Sequence, residues 1–147
     1  TCSDARPEFL ETVAWRNHEI KTVLCDLNAQ WPDDKVYDFV LCLGVLYHLQ
    51  ALKFALQQAC RHALHLALDC EVSTGVDCSA LNLIEEKPPF SLRAGEGADH
   101  AIDGWGCRPT PWYIETILKE EGVQYERGWN EIRDQSSYLQ RWLWFVQ

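Results

Sequence analysis

Four side chains in this sequence could do chemistry together: Asp4, Asp26, Tyr47 and His48. A neutral imidazole titrates near working pH, so His48 is the best candidate for a general base, needed when a nucleophile carries a proton that must leave. Tyr47, its neighbour, could line a pocket or hydrogen-bond a ligand. Asp4 and Asp26 each follow a short strand-like run, and an ionised carboxylate there is a hydrogen-bond acceptor. Each also has a structural reading. A Tyr-His pair at a helix start can cap and pack, Asp4 can be a helix N-cap or an exposed turn residue, and Asp26 a solvated turn residue.

The elements that must position them follow from the pattern. Val36 to Leu43 is an apolar run broken only by Asp38, bounded by Trp31-Pro32-Asp33-Asp34-Lys35 and by Gly44. It reads as a strand buried on both faces, as in the centre of a parallel sheet covered by helices on both sides. Gly44 lets the chain turn off the strand end and delivers Tyr47 and His48 past its carboxyl edge, where open α/β sheets hold ligands. Before it, Pro7 can open a helix whose Phe9, Leu10, Val13 and Ala14 share a face, and Glu19 to Asn28 contains a short strand ending in Asp26 and Leu27.

After it, Leu52, Ala55, Leu56, Ala59, Ala63 and Leu66 recur at helical spacing, which predicts a helix over Ala51 to Leu68. The end of that stretch, His65 to Val72, reads as the next strand, placing Glu71 at the same edge in a substrate-facing or a structural role. His62 and His65 are solvent-facing or packing residues. Residues 73–107 are rich in Gly, Pro and charges of both signs, and read as an insertion or lid over the substrate or as a surface segment without fixed structure. Thr110 and Pro111 cap and open a last helix, which Gly122 stops. Val123 to Trp129 and Tyr138 to Val146 read as two strands. The second carries Trp142, Trp144 and Phe145, as expected of core or a subunit interface.

Tyr37-Asp38-Phe39-Val40-Leu41-Cys42-Leu43-Gly44-Val45-Leu46-Tyr47-His48-Leu49 resembles the fourth-strand motif of the class I, Rossmann-like S-adenosylmethionine-dependent methyltransferases, in the branch reading (F/Y)D-x-V-x-x-x-G-V-L-Y-H-L. The likeness extends more loosely from Thr1 to the C-terminus, where Arg108-Pro109-Thr110-Pro111 and Glu120-Glu121-Gly122-Val123 are similar to the segment before that branch's terminal hairpin. It implies an α/β fold: a mostly parallel sheet flanked by helices and closed by an antiparallel C-terminal hairpin. The glycine-rich loop that follows the family's first strand is absent, so the expectation is a single domain over 1–147 lacking the first strand and helix, as part of a longer reading frame.

What the resemblance implies for the site is specific. Asp4 would accept from the ribose hydroxyls of S-adenosylmethionine, Asp26 from the adenine amino group, and the Leu27 N–H would meet the ring nitrogen. Leu43 and Gly44 would line the donor site, and His48 and Tyr47 would be the catalytic pair facing a small or medium-sized acceptor. The alternative function is a non-catalytic methyltransferase-like module for protein assembly, self-associating as a homo-oligomer through the aromatic C-terminal strand. A different nucleotide-using Rossmann-like enzyme has neither a dinucleotide fingerprint nor a phosphate-binding lysine loop to support it.

Composition is consistent with this. At 147 residues, 47% hydrophobic and 24% charged, the chain can bury a core and belongs to no disordered or fibrous class. A net charge of −9 disfavours nucleic acid, since binding a phosphate backbone needs clustered Lys and Arg. Seven cysteines, with no Cys-x-x-Cys pair and no zinc-type histidine spacing, point to a reduced cytoplasmic setting and no metal. No apolar run approaches the roughly 20 residues that span a bilayer.

Overall fold

The computed structural model describes residues 1–74, 81–86, 101, 104–131 and 139–147. The chain begins with β1 (Cys2–Asp4), α1 (Pro7–Arg16) and β2 (Thr22–Leu24), and β1 pairs with β2 in parallel. Pro7 occupies the first turn of α1, where its missing N–H costs nothing, and Leu10 is the residue this helix buries.

The main sheet has four strands: β3 (Tyr37–Leu43), β4 (Ala63–Ser73), β7 (Tyr125–Glu131) and β8 (Leu139–Val146), in the order β3-β4-β8-β7. β3 and β4 are parallel, whereas β8 is antiparallel to both its neighbours. Between them run a 3-10 turn (Leu46–His48), α2 (Leu52–Arg61) and α3 (Pro111–Glu120). β5 (Leu83–Glu85) and β6 (Trp105–Cys107) form an antiparallel pair of their own. Thr110 caps α3 as expected, its Oγ1 accepting from the Tyr113 N–H at 3.1 Å. Gly122 ends the helix in the left-handed region at φ +72°.

The core lies between this sheet and the helices α2 and α3. Leu52, Leu56, Leu68, Val72, Ile114, Ile117, Leu118 and Trp144 meet there, all buried. Each fully buried aliphatic side chain of this kind contributes roughly 1.5–3 kcal/mol.

Three expectations need correction. The helix predicted over Ala51 to Leu68 ends at Arg61, where the His62 N–H closes on the Gln58 carbonyl, and β4 begins at Ala63. Alanines and leucines here satisfy both periodicities, and pairing of Tyr37 through Leu43 with Ala63 through Asp69 selects the strand. Second, β3 is not buried on both faces. Cys42 faces the core, whereas Phe39 (55%), Leu41 (65%) and Leu43 are exposed, because α2 and α3 cover one face and no described helix covers the other. Third, the penultimate strand starts at Tyr125, since the Val123 N–H is used on the Leu118 carbonyl to finish α3.

Of the two readings of the aromatic last strand, core or subunit interface, Trp144 takes the first: β8 lies between β4 and β7, Trp144 is fully buried, and the partly buried Trp142 packs against the same cluster. Of the predicted 73–107 insertion, Ser73 belongs to β4, and residues 75–80, 87–100 and 102–103 lie outside the described residues. Among the described residues no helix is long and apolar enough to cross a membrane. Cys25, Cys42, Cys60, Cys70 and Cys107 are buried free thiols. Burial pushes Cys42 and Cys107 up to about 12, so neither supplies a thiolate nucleophile.

Candidate active site

At the carboxyl end of β3 the chain must leave the sheet abruptly, and Gly44 does this at φ +71°, a conformation that side-chain-bearing residues rarely adopt. Leu46, fully buried, then anchors the 3-10 turn, so that Tyr47 and His48 are held over the strand ends rather than carried away from them. The two rings are tilted at a centroid distance of 4.2 Å. Burial raises the Tyr47 phenol, which keeps it protonated and able to donate.

The ends of β1 and β2 are tied together by the Cys25 N–H bonding the Asp4 carbonyl at 2.9 Å. Asp4 Oδ1 accepts from the Arg6 N–H at 2.8 Å, and Asp26 Oδ1 from the Asn28 N–H at 2.9 Å. Asn28 Oδ1 in turn accepts from the Ala51 N–H at 3.0 Å, fixing this loop against the start of α2. Each aspartate thus spends one oxygen on its own turn, and a carboxylate has a second to offer a ligand.

A single cavity of about 810 Å³ opens here. Asp4, Asp26, Leu27, Leu43, Gly44, Tyr47 and His48 all line it, so the fold brings together every residue singled out from the sequence. Glu71 lines it as well, as does Arg6.

Three further residues stand outside those that the sequence nominates for the site. Glu86, directly after β5, is 6% exposed, and its Oε2 lies 2.6 Å from His48 Nδ1 and 2.7 Å from the Ala101 N–H. Arg108 donates through Nη1 to Glu86 Oε1 at 2.9 Å and through Nε to Glu71 Oε1 at 3.1 Å, with its guanidinium 5.1 Å from the Tyr47 ring centroid. Arg141 of β8 grips Asp69 of β4 at 2.6 and 2.7 Å. Burial works to raise the Glu86 carboxyl, but the bonds from His48, Arg108 and Ala101 outweigh it and hold the group below the usual carboxylate range. In the sequence Arg108 is only the first residue of the Arg-Pro-Thr-Pro segment that leads into the last helix. The one local signal for Glu86 is a charged pair, Glu85-Glu86, set directly after an apolar run.

Glu86 fits because residue 106 is glycine. A Cβ at Gly106 would stand 2.3 Å from Glu86 Oε1 and 2.6 Å from the Tyr47 carbonyl oxygen. Gly106→Ala is therefore expected to destabilise the protein by about 1–3 kcal/mol through overpacking. An unchanged urea midpoint would show that this approach is not so close.

No family model and no curated protein matches the chain. Solved structures do. The N-terminal domain of EvdMO1, in the presence of SAH and D-fucose, matches with a TM-score of 0.76 at 17% identity, over 99% of this chain and 64% of that one. A S-adenosylmethionine-dependent methyltransferase from Clostridium acetobutylicum matches with a TM-score of 0.59 at 13% identity, over 99% and 73%. The N-methyltransferase NodS from Bradyrhizobium japonicum, in complex with S-adenosyl-L-homocysteine, gives 0.56 at 14%, over 98% and 63%. The chain thus spans 64% and 63% of the length of the EvdMO1 domain and of NodS. With its carboxyl-edge cavity, its parallel β3–β4 pair and its antiparallel terminal hairpin, the chain has the Rossmann-like α/β fold of the S-adenosylmethionine-dependent methyltransferases.

Proposed function

We propose that the protein transfers a methyl group from S-adenosylmethionine to a small or medium-sized acceptor. The observation that carries this reading is the convergence of seven residues from three separate strand ends on one cavity of about 810 Å³. The donor set suits a nucleoside: Asp4 and Asp26 as acceptors for ribose hydroxyls and an exocyclic amine, Leu27 and Leu43 as apolar walls, and a side-chain-free backbone at Gly44. When bound, the donor supplies an electrophilic methyl on a sulfonium. The protein's part is to position it, exclude water and, through His48, accept a proton from the nucleophile. Tyr47 keeps its proton and can hydrogen-bond the acceptor. Similarity to structures solved with SAH supports the choice of donor.

The assembly-module alternative rested on the aromatic last strand, and an inner β8 that turns Trp144 into the core leaves Phe145 as that strand's exposed aromatic, which supports it less than it supports the enzyme. A reducing, cytoplasmic setting goes with the free buried thiols.

Calorimetric titration of S-adenosylhomocysteine tests the reading. Binding is expected, and Asp26→Ala should weaken it by about 10- to 100-fold, the worth of a hydrogen bond to a charged acceptor. Unchanged affinity would remove Asp26 from the site, and no binding by the parent chain would remove the donor.

A further inference from the structure

We propose that Glu86 is the positioning residue that makes His48 a base, and that the group methylated is a neutral hydroxyl. This deepens the methyl-transfer reading and rests on it.

The inference starts from proton bookkeeping at one short contact. A carboxylate held ionised has no proton to give, so in the 2.6 Å contact between His48 Nδ1 and Glu86 Oε2 the hydrogen belongs to Nδ1. A neutral His48 then carries its lone pair on Nε2, the nitrogen left for a substrate in the cavity that the ring lines. Glu86 cannot readily turn away. Its two oxygens are held by His48, the Ala101 N–H and Arg108 Nη1, and Arg108 is itself fixed by Glu71 and by the Tyr47 carbonyl at 3.3 Å. The β5–β6 pair sets this frame from both ends, the Glu86 N–H bonding the Gly104 carbonyl and the Arg108 N–H the Asn82 carbonyl.

The acceptor class follows from what this arrangement would be useless for. A neutral amine attacks with a lone pair it already has, and needs no base. A carboxylate acceptor needs none either, since it attacks with a charge it already carries and has no proton to give. A hydroxyl, too weak an acid to ionise by itself near neutral pH, must lose a proton as it attacks. Its oxygen bonds to the methyl carbon, the carbon–sulfur bond breaks with its electron pair remaining on sulfur, and the hydroxyl proton passes to His48 Nε2. The positive charge that leaves the sulfonium reappears on the imidazolium, next to the Glu86 carboxylate. The products are an ether, a thioether and an imidazolium that returns its proton to water.

Long-range proton–nitrogen NMR of the 15N-labelled protein at about pH 8.5, where imidazole is neutral, reads the tautomer without any substrate. The His48 ring, assigned by its loss in His48→Gln, is expected as the Nδ1–H form in the parent and as mainly the Nε2–H form in Glu86→Ala. An Nε2–H ring in the parent would overturn the proposal. With labelled S-adenosylmethionine and a mixture of hexoses, phenols, primary amines and carboxylic acids, the label should enter neutral, base-stable products. Label in base-labile esters or in cation-exchanging amines would overturn the hydroxyl assignment. Glu86→Gln should then lower kcat on the methylated hydroxyl compound by about 10- to 100-fold, with KM within about twofold; equal loss of folding stability and no loss of kcat would make Glu86 merely structural. Failure to bind S-adenosylhomocysteine, with the parent tautomer as expected, would instead be the failure of the methyl-transfer reading.

Discussion

Replacing His48 by Gln is expected to lower the rate of methyl transfer by about 10²–10⁴-fold, the usual contribution of a positioned general base, while leaving the affinity for S-adenosylhomocysteine within about twofold. The two halves of this result come from different parts of the cavity. Donor contacts are proposed for Asp4, Asp26 and Leu27 on the β1–β2 side, whereas His48 sits on the turn after β3 and is held by Glu86 from the β5–β6 side. Glutamine keeps an amide N–H that can still reach Glu86 and removes only the titratable ring, so the buried carboxylate is not stranded. Rate and affinity measured side by side decide the matter. A rate within a few-fold of the parent would mean that His48 only packs beside Tyr47, and a loss of donor affinity equal to the loss of rate would mean that it is part of the donor site.

The second large effect is on the fold, and through it on the site. Trp144→Ala is expected to cost about 3–5 kcal/mol, the range for truncating a large aromatic in a core that cannot collapse around the cavity. Trp144 is 0% exposed, packs in the cluster with the residues of α2 and α3, and donates its Nε1–H to Glu115 Oε1 at 3.2 Å. Glu115 is also paired with Arg127 of β7, so the truncation leaves that carboxylate with one donor fewer. The same strand carries Arg141, which faces Glu71 across the β4–β8 ladder and holds Asp69. A loosened β8 should therefore disturb the cavity wall as well as the core. Urea denaturation gives the measure, with Phe145→Ala as the internal control: one residue on, Phe145 points to the exposed side of the sheet and should cost much less. Equal losses at the two positions would contradict the burial pattern of β8.

Much of this arrangement was legible along the chain, because its signals are local. The strand from Tyr37 to Leu43, its stop at Gly44 and the delivery of Tyr47 and His48 past its end need only an apolar run and a glycine. The cap at Thr110, the proline after it and the glycine at 122 bound α3 to the residue, since caps are made by neighbours within one turn. Where local signals were degenerate, distant partners arbitrated. Ala63 to Leu66 suits a helix as well as a strand, and only the waiting edge of β3 makes it a strand. Burial of one face of β3 and exposure of the other is likewise invisible in a run that is apolar at nearly every position.

The site divides in the same way. The resemblance of the Tyr37–Leu49 stretch to a methyltransferase motif was what nominated Asp4, Asp26, Leu27, Leu43, Gly44, Tyr47 and His48, each of which lies at a strand end or within a few residues of one. It could not nominate Glu86, 38 residues beyond His48, or the Arg108 that holds it, or the empty Cβ position of Gly106 that makes room for both carboxylate and turn. A charge in a glycine-rich stretch is most often solvated, and nothing in its neighbours says otherwise. What changes its meaning is burial against an imidazole and a guanidinium from other parts of the chain, where the low dielectric makes each bond stronger and each missing one costly. A base can be guessed from a histidine at a strand end, but the partner that sets which of its nitrogens is basic exists only once the chain has folded back on itself.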